Sequence, residues 1–115
     1  MSEYRQRFDE LYQFFAGYFH QDWSRVFDWR ESPHNFRLVV RHFKAVNPKP
    51  IVQRVRNELE DFLSYELNKN DLKNALVELG CNFYPKDGDY RKWLKEVFEI
   101  LNDPTEKGEV LREIE

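Results

Sequence analysis

Tyr90-Arg91-Lys92-Trp93-Leu94-Lys95-Glu96-Val97-Phe98-Glu99-Ile100-Leu101 is the most regular segment of this 115-residue chain. Tyr90, Trp93, Leu94, Val97, Phe98 and Leu101 recur at intervals of three and four, which places them on one face of an α-helix. The preceding Lys86-Asp87-Gly88-Asp89 reads as a loop ending in a capping residue. Further upstream, Cys81-Asn82-Phe83-Tyr84-Pro85 is too short and too limited by proline for a central strand. Before it lies another complete helix signal, with Asn70 as N-cap, a stripe of Leu72, Ala75, Leu76 and Leu79, and Gly80 where a left-handed C-terminal cap belongs.

The same reading extends to the N-terminus. Pro50 opens a central helix whose Ile51, Val52, Val55, Leu59, Phe62 and Leu63 face inward. Ser32-Pro33 starts a helix with Phe36, Val39, Val40 and Phe43 on one face, ended by Asn47-Pro48. Tyr4, Phe8, Leu11, Tyr12 and Phe15 define a first helix that loosens at Gly17, and Trp23 to Trp29 form a short helical turn. After Asp103-Pro104, Val110, Leu111 and Ile114 can dock only a highly charged tail, so residues 102–115 are expected to be loosely held. The expectation is an all-α, single-domain irregular bundle of five to six short helices over residues 1–115.

Composition narrows the class. Ten phenylalanines and 17% aromatic residues suit a core of large rings, while 34% charged residues require amphipathic rather than wholly buried helices. No run approaches the roughly 18 apolar residues of a membrane span, and no apolar leader follows Met1. The single cysteine, Cys81, has no partner for an internal disulfide and suits a reducing cytoplasm.

One block stands apart from the helical stripes. Tyr18-Phe19-His20-Gln21-Asp22-Trp23 packs three rings, an imidazole, an amide and a carboxylate into six consecutive positions, so no helical or strand register buries every apolar group and exposes every polar one. The block reads as a helix end turning into the next element. Asp22 is a candidate N-cap there, and His20 or Asp22 satisfies buried backbone groups.

Catalytic and cofactor signals are absent. The sequence contains no glycine-rich phosphate loop, no His-Glu-x-x-His pair and no cysteine pair at zinc spacing, so no metal or cofactor is expected. A base, orienting carboxylate and nucleophile made from His20, Asp22 and Cys81 would need fortuitous assembly, and Cys81 beside Gly80 and Phe83 reads as a small core residue. The chain is read as a non-enzyme.

Charge is unevenly distributed along the chain. Residues 1–56 hold ten Lys/Arg against six Asp/Glu, net +4, whereas residues 57–115 hold eight against fifteen, net −7. The basic part includes an Arg37, Arg41, Lys44 stripe, extended by Arg54 and Arg56, which is the basis for an alternative reading as a small helical adaptor or nucleic-acid-binding domain. An overall pI near 5.7 argues against nucleic acid as the partner. In the acidic part Arg54–Glu58, Arg56–Glu60, Lys92–Glu96 and Lys95–Glu99 have i, i+4 spacing and read as local pairs. Asp61, Asp87, Asp89 and Asp103 lack so obvious a local partner within the helical stripes. With Glu60 alongside and Tyr84 as an aromatic anchor, they form the candidate surface for a basic protein partner.

The chain resembles the CdiI family of immunity proteins, which neutralise toxins of bacterial contact-dependent growth inhibition. The resemblance rests on a Leu-Tyr-Gln-Phe-Phe helix leading into Tyr18–Trp23, on Asn57-Glu58-Leu59-Glu60-Asp61-Phe62-Leu63, on Leu79-Gly80-Cys81-Asn82-Phe83-Tyr84-Pro85 and on the Tyr90-x-x-Trp93-Leu94 ending, which together span most of residues 8–101. It implies a cytoplasmic antidote that binds the C-terminal toxin domain of a cognate effector, commonly a nuclease, in a one-to-one complex. Because members of such a family meet different toxins, the resemblance also implies that the Tyr18–Trp23 block maintains the scaffold and that toxin contacts lie elsewhere.

Overall fold

The computed structural model describes residues 3–20, 36–85 and 87–103. Within them the chain forms six helices and no strand: α1 Glu3–Arg7, α2 Asp9–Tyr18, α3 Phe36–Val46, α4 Lys49–Leu63, α5 Lys69–Glu78 and α6 Tyr90–Asn102. The readings of Gln21, Asp22 and Trp23, of the Trp23–Trp29 turn, of Ser32-Pro33 and of the tail from Pro104 lie outside the described residues.

Helices α4 and α6 pack together at the centre, with α2 and α3 against them and α5 closing one side. The cross-links set the directions. Arg56 on α4 meets Asn102 at the end of α6, and Leu67 after α4 meets Arg91 at its start, so the two helices are antiparallel. Arg37 pairs with Glu96 and Lys44 reaches Ile100, so α3 runs parallel to α6. The apolar stripes converge as their periodicity requires: Leu11, Phe14, Phe15, Val39, Val40, Val55, Leu59, Phe62, Leu76, Leu94 and Val97 are all buried. Ile100, outside the stripe assigned to α6 from sequence, is buried as well.

Several boundaries differ from the sequence reading. The first helical stripe is divided at Phe8, whose φ of −119° and ψ of 55° bend the chain between α1 and α2. Two hydrogen bonds bridge the bend, Phe8 N–H to Tyr4 C=O and Tyr12 N–H to Phe8 C=O, both 2.8 Å, so the hydrophobic period passes through it unbroken. Helix α2 does not loosen at Gly17 but continues to Tyr18, because Phe14, Phe15 and Tyr18 pack inward on both sides of the glycine. The N-cap of α5 is Asn68 rather than Asn70: the Asn68 side chain accepts from Asp71 N–H at 2.8 Å and donates to the Asp71 carboxylate at 3.1 Å. Helix α4 begins one residue before Pro50, with Pro48 in the N-cap position.

The end of α5 follows the expected pattern. Gly80 has φ +78°, Cys81 N–H reaches Leu76 C=O at 2.9 Å and Gly80 N–H reaches Val77 C=O at 3.0 Å, the paired bonds of a Schellman motif. A Cβ at Gly80 would lie 3.1 Å from Ala16 Cβ and 3.2 Å from Tyr12 Cε2, so glycine also allows α5 to close onto α2.

Candidate functional site

The described part of the aromatic block sits inside the bundle. Phe19 is fully buried at the end of α2, with its ring edge-on to Trp93 at 5.3 Å and to Phe83 at 5.7 Å. Its carbonyl accepts the Asn82 N–H at 2.8 Å, which ties the block to the Gly80–Pro85 connection. Tyr18 is half-buried, and its hydroxyl accepts from the Asn47 amide at 3.1 Å. That amide also donates to Phe43 C=O, finishing α3. His20 is half-buried beside Phe19.

Between Gly80 and Asp87 the described chain alternates. Cys81, Phe83 and Pro85 point inward, whereas Asn82 and Tyr84 face solvent. Phe83 stacks on Trp93 at 4.5 Å, and Phe15 and Phe36 complete the aromatic surround. The indole N–H of Trp93 is buried among these rings with no hydrogen-bond partner among the described residues. Cys81 is buried too, and loss of hydration pushes its thiol up to about 12, so at neutral pH it is a protonated packing group rather than a nucleophile. Among the described residues no group of His, Cys, Asp and Glu could hold a metal ion, and no helix is long and apolar enough to cross a membrane.

The acidic candidates fall into three places. Glu60 and Asp61 lie in the last turn of α4; Glu60 pairs with Arg56 at 2.9 Å and Asp61 with Arg7 at 3.9 Å. Tyr84, Asp87 and Asp89 surround the start of α6. Asp103 closes the other end of that 13-residue helix, about 20 Å from Asp89 at 1.5 Å per residue. Its carbonyl, with that of Ile100, receives the Lys44 ammonium at 3.0 and 2.7 Å.

The Asp87–Asp89 turn holds itself together. Asp89 accepts from Lys92 N–H at 3.0 Å and so caps α6, as the loop reading anticipates. Asp87 accepts from Asp89 N–H at 3.0 Å and lies 3.6 Å from the Lys92 ammonium. The Asp89 N–H, aided by that ammonium, holds the Asp87 carboxyl below the usual range. Beside the turn is a concavity of about 530 Å³ between the starts of α5 and α6, floored by Leu67, Leu72 and Tyr90 and rimmed by Asp87, Asp89, Lys69 and Arg91.

Of the i, i+4 pairs expected from sequence, Arg56–Glu60 forms, whereas Arg54–Glu58 and Lys92–Glu96 are replaced by other partners. Glu58 does not take Arg54; its carboxylate accepts from Leu11 N–H at 3.1 Å, acting as the N-terminal cap of α2 from a different helix. Burial holds the Glu58 carboxyl above its ordinary value, with the charges of Glu10 and Asp9 adding to the effect and the backbone hydrogen bonds opposing it. Arg54 pairs instead with Glu10 at 3.7 Å, Lys92 with Asp87 and Glu96 with Arg37 at 3.2 Å. The basic stripe is correspondingly engaged. Arg37 faces Glu96, Lys44 caps α6 and Arg56 serves Glu60 and Asn102.

The concavity was invisible in sequence because Leu67 and Asn68 come to Asp87 and Tyr90 only when α5 folds back. Likewise, Glu58 at four-residue spacing from Arg54 looks like half of a surface pair, and nothing local distinguishes it as the cap of α2.

The described residues form a small all-α bundle with Phe19, Phe83 and Trp93 packed in its interior. The CdiI immunity protein family matches residues 7–101, and the chain belongs to that family. No curated protein and no solved structure shows a significant match.

Proposed function

We propose that this protein binds and neutralises the C-terminal toxin domain of a cognate CdiA-type effector, as a one-to-one complex in the cytoplasm, and that the toxin is a nuclease whose active site it covers. Membership of the CdiI immunity family across residues 7–101 carries the reading. The placement of Phe19, Phe83 and Trp93 in the core supports a scaffold role for the family motifs and leaves the outer surface for recognition. On that surface the acidic side chains at the end of α4 and around the Asp87–Asp89 turn supply the charge that a basic nuclease cleft would meet, steering encounter as phosphates do. Asp103, at the opposite end of α6, joins such a surface only if the interface extends along that helix.

The alternative, a nucleic-acid-binding face on α3, is disfavoured by the engagement of Arg37 and Lys44 with α6. A filter-binding assay with bulk RNA and DNA should show no retention.

The test is co-expression with the C-terminal toxin domain of the cognate effector, sought as a large gene beside this one. The expected results are growth rescue, a one-to-one complex by size exclusion with light scattering, and loss of nuclease activity on addition of the protein. Failure of both rescue and complex formation, with both chains folded, overturns the proposal. Reversing Asp61 and Asp87 to lysine should slow association at low salt while leaving the helical content intact. Asp87 is the better partner for that test than Asp89, whose reversal would also remove the cap of α6.

A further inference from the structure

Helix α1 is fastened differently from the rest of the bundle. Each of α2 to α6 buries three or more side chains, whereas α1 exposes Arg5, Gln6 and Arg7 and half-buries Tyr4. Four of its five residues also precede the segment matched by the CdiI immunity family, which begins at residue 7.

Two arginines tie α1 to the bundle. The Arg5 Nε–H donates to Glu78 C=O at 2.7 Å, and the guanidinium lies 4.6 Å from the centre of the Tyr12 ring. That bond completes the end of α5. The carbonyls of Ala75, Leu76 and Val77 accept from the N–H groups of Leu79, Cys81 and Gly80, and the next carbonyl, that of Glu78, accepts from α1. Arg7 reaches Asp61 at 3.9 Å in the last turn of α4 and lies 5.6 Å from the centre of the Tyr65 ring. Helix α1 therefore bridges the C-terminal ends of α4 and α5. This fastening is weak. The side chains of Arg7 and Asp61 are each 61% exposed, and ion pairs and cation–aromatic contacts in such places contribute little and are screened by salt.

Phe8 has the properties of a hinge. Its φ of −119° and ψ of 55° turn the backbone out of the helical path, while its ring is fully buried, 5.6 Å from Phe62 and 5.7 Å from Tyr65. Rotation of the backbone between Arg7 and Phe8 swings α1 outward and breaks the bond from Phe8 N–H to Tyr4 C=O. The bond from Tyr12 N–H to Phe8 C=O and the ring contacts of Phe8 with Phe62 and Tyr65 stay intact.

We propose that α1 is a strap, hinged at Phe8, that opens as a unit while the bundle stays folded. When closed, its two guanidinium groups engage the Tyr12 ring, the Glu78 carbonyl and the Asp61 carboxylate; opening frees all three. Asp61 belongs to the surface assigned above to toxin binding, so the strap governs whether that carboxylate is already paired. This consequence rests on the immunity reading, whereas the strap itself does not.

The test is native-state hydrogen exchange of the full chain, followed by NMR with urea kept below the unfolding transition. The Phe8 amide reports on the strap, and the Tyr12 amide, bonded at the same 2.8 Å, reports on the bundle. After correction for intrinsic rates, Phe8 should exchange at least about a hundredfold faster than Tyr12, without dependence on urea. Raising salt from about 0.05 M to about 1 M, where the screening length falls to about 3 Å, should speed Phe8 relative to Tyr12 by about threefold or more. Arg5→Ala should have the same effect at low salt; Arg5 is exposed, and circular dichroism checks that the variant is folded. Equal rates with equal urea dependence at Phe8 and Tyr12 overturn the strap, because α1 then opens only with the bundle. A faster Phe8 amide that responds neither to salt nor to Arg5→Ala overturns the fastening by arginine.

Discussion

Replacing Gly80 by alanine should destabilise the protein by about 3 kcal/mol. A non-glycine residue in the left-handed region costs about 1–2 kcal/mol, and Gly80 sits there at φ +78°. The added methyl would also meet Ala16 Cβ at 3.1 Å and Tyr12 Cε2 at 3.2 Å, inside the 3.5–4.0 Å optimum for carbon contacts. Relief requires α2 to retreat, but its position is fixed by the Glu58 cap and by the buried Phe14 and Phe15, so a further cost of about 1–2 kcal/mol follows, as for an overpacked core. Urea unfolding followed by circular dichroism should show the midpoint falling by about 2 M at unchanged slope, since slopes for small domains are about 1–3 kcal/mol per molar. Gly17→Ala is the internal control. Gly17 has open space around the added methyl and lies within α2, so the substitution should stabilise by about 0.5–1 kcal/mol. A Gly80→Ala protein within about 0.5 kcal/mol of wild type would refute the argument that this turn and its close approach to α2 require glycine.

Three further outcomes follow from the geometry. Because Glu58 holds its proton more tightly folded than unfolded, its titration contributes stability below the unfolded value and that contribution is lost as pH rises through the folded value; Glu58→Gln should therefore gain on wild type in denaturant midpoints between pH 4 and 7, and a constant difference would refute this. Glu58→Ala, which removes the cap acceptor for Leu11 N–H, should cost about 1 kcal/mol at pH 7, as should Asp89→Ala at the start of α6, both read by thermal melting. Cys81 should react with iodoacetamide at least about a hundredfold more slowly in the native protein than in 6 M urea, as expected for a buried protonated thiol, with mass spectrometry following the adduct.

The legibility of the fold depended on how local each determinant was. The stripe of α6, its Asp89 cap and the Gly80 stop of α5 were all readable, since each depends on residues a turn or so apart. The bend at Phe8 was not, because its hydrogen bonds preserve the hydrophobic period while the ring turns onto Phe62 and Tyr65 from elsewhere in the chain. The start of α5 was misplaced by two residues because Asn68 and Asn70 are equally good capping types, and only the reciprocal bonds with Asp71 distinguish them. Charge pairing failed most often. Arg37–Glu96, Arg54–Glu10 and the Glu58 cap all connect different helices, so the four-residue spacing rule had nothing to say about them. The concavity beside the Asp87–Asp89 turn was not legible, because it depends on Leu67 and Leu72 being brought to Tyr90 by the turn into α5.

The single hydrogen bond from Asn82 N–H to Phe19 C=O bears on the order in which the chain assembles. It joins residues 63 positions apart, and closing a loop of that size costs about 4 kcal/mol in chain entropy, roughly three times the cost for a contact within one helical turn. The contact becomes favourable only after α3, α4 and α5 have shortened the path between its ends. Joining of the two family motifs should then be a late event in folding. In a pulsed hydrogen-exchange experiment the Asn82 amide would become protected after those of α4 and α6, and the aromatic cluster around Trp93 would close with it.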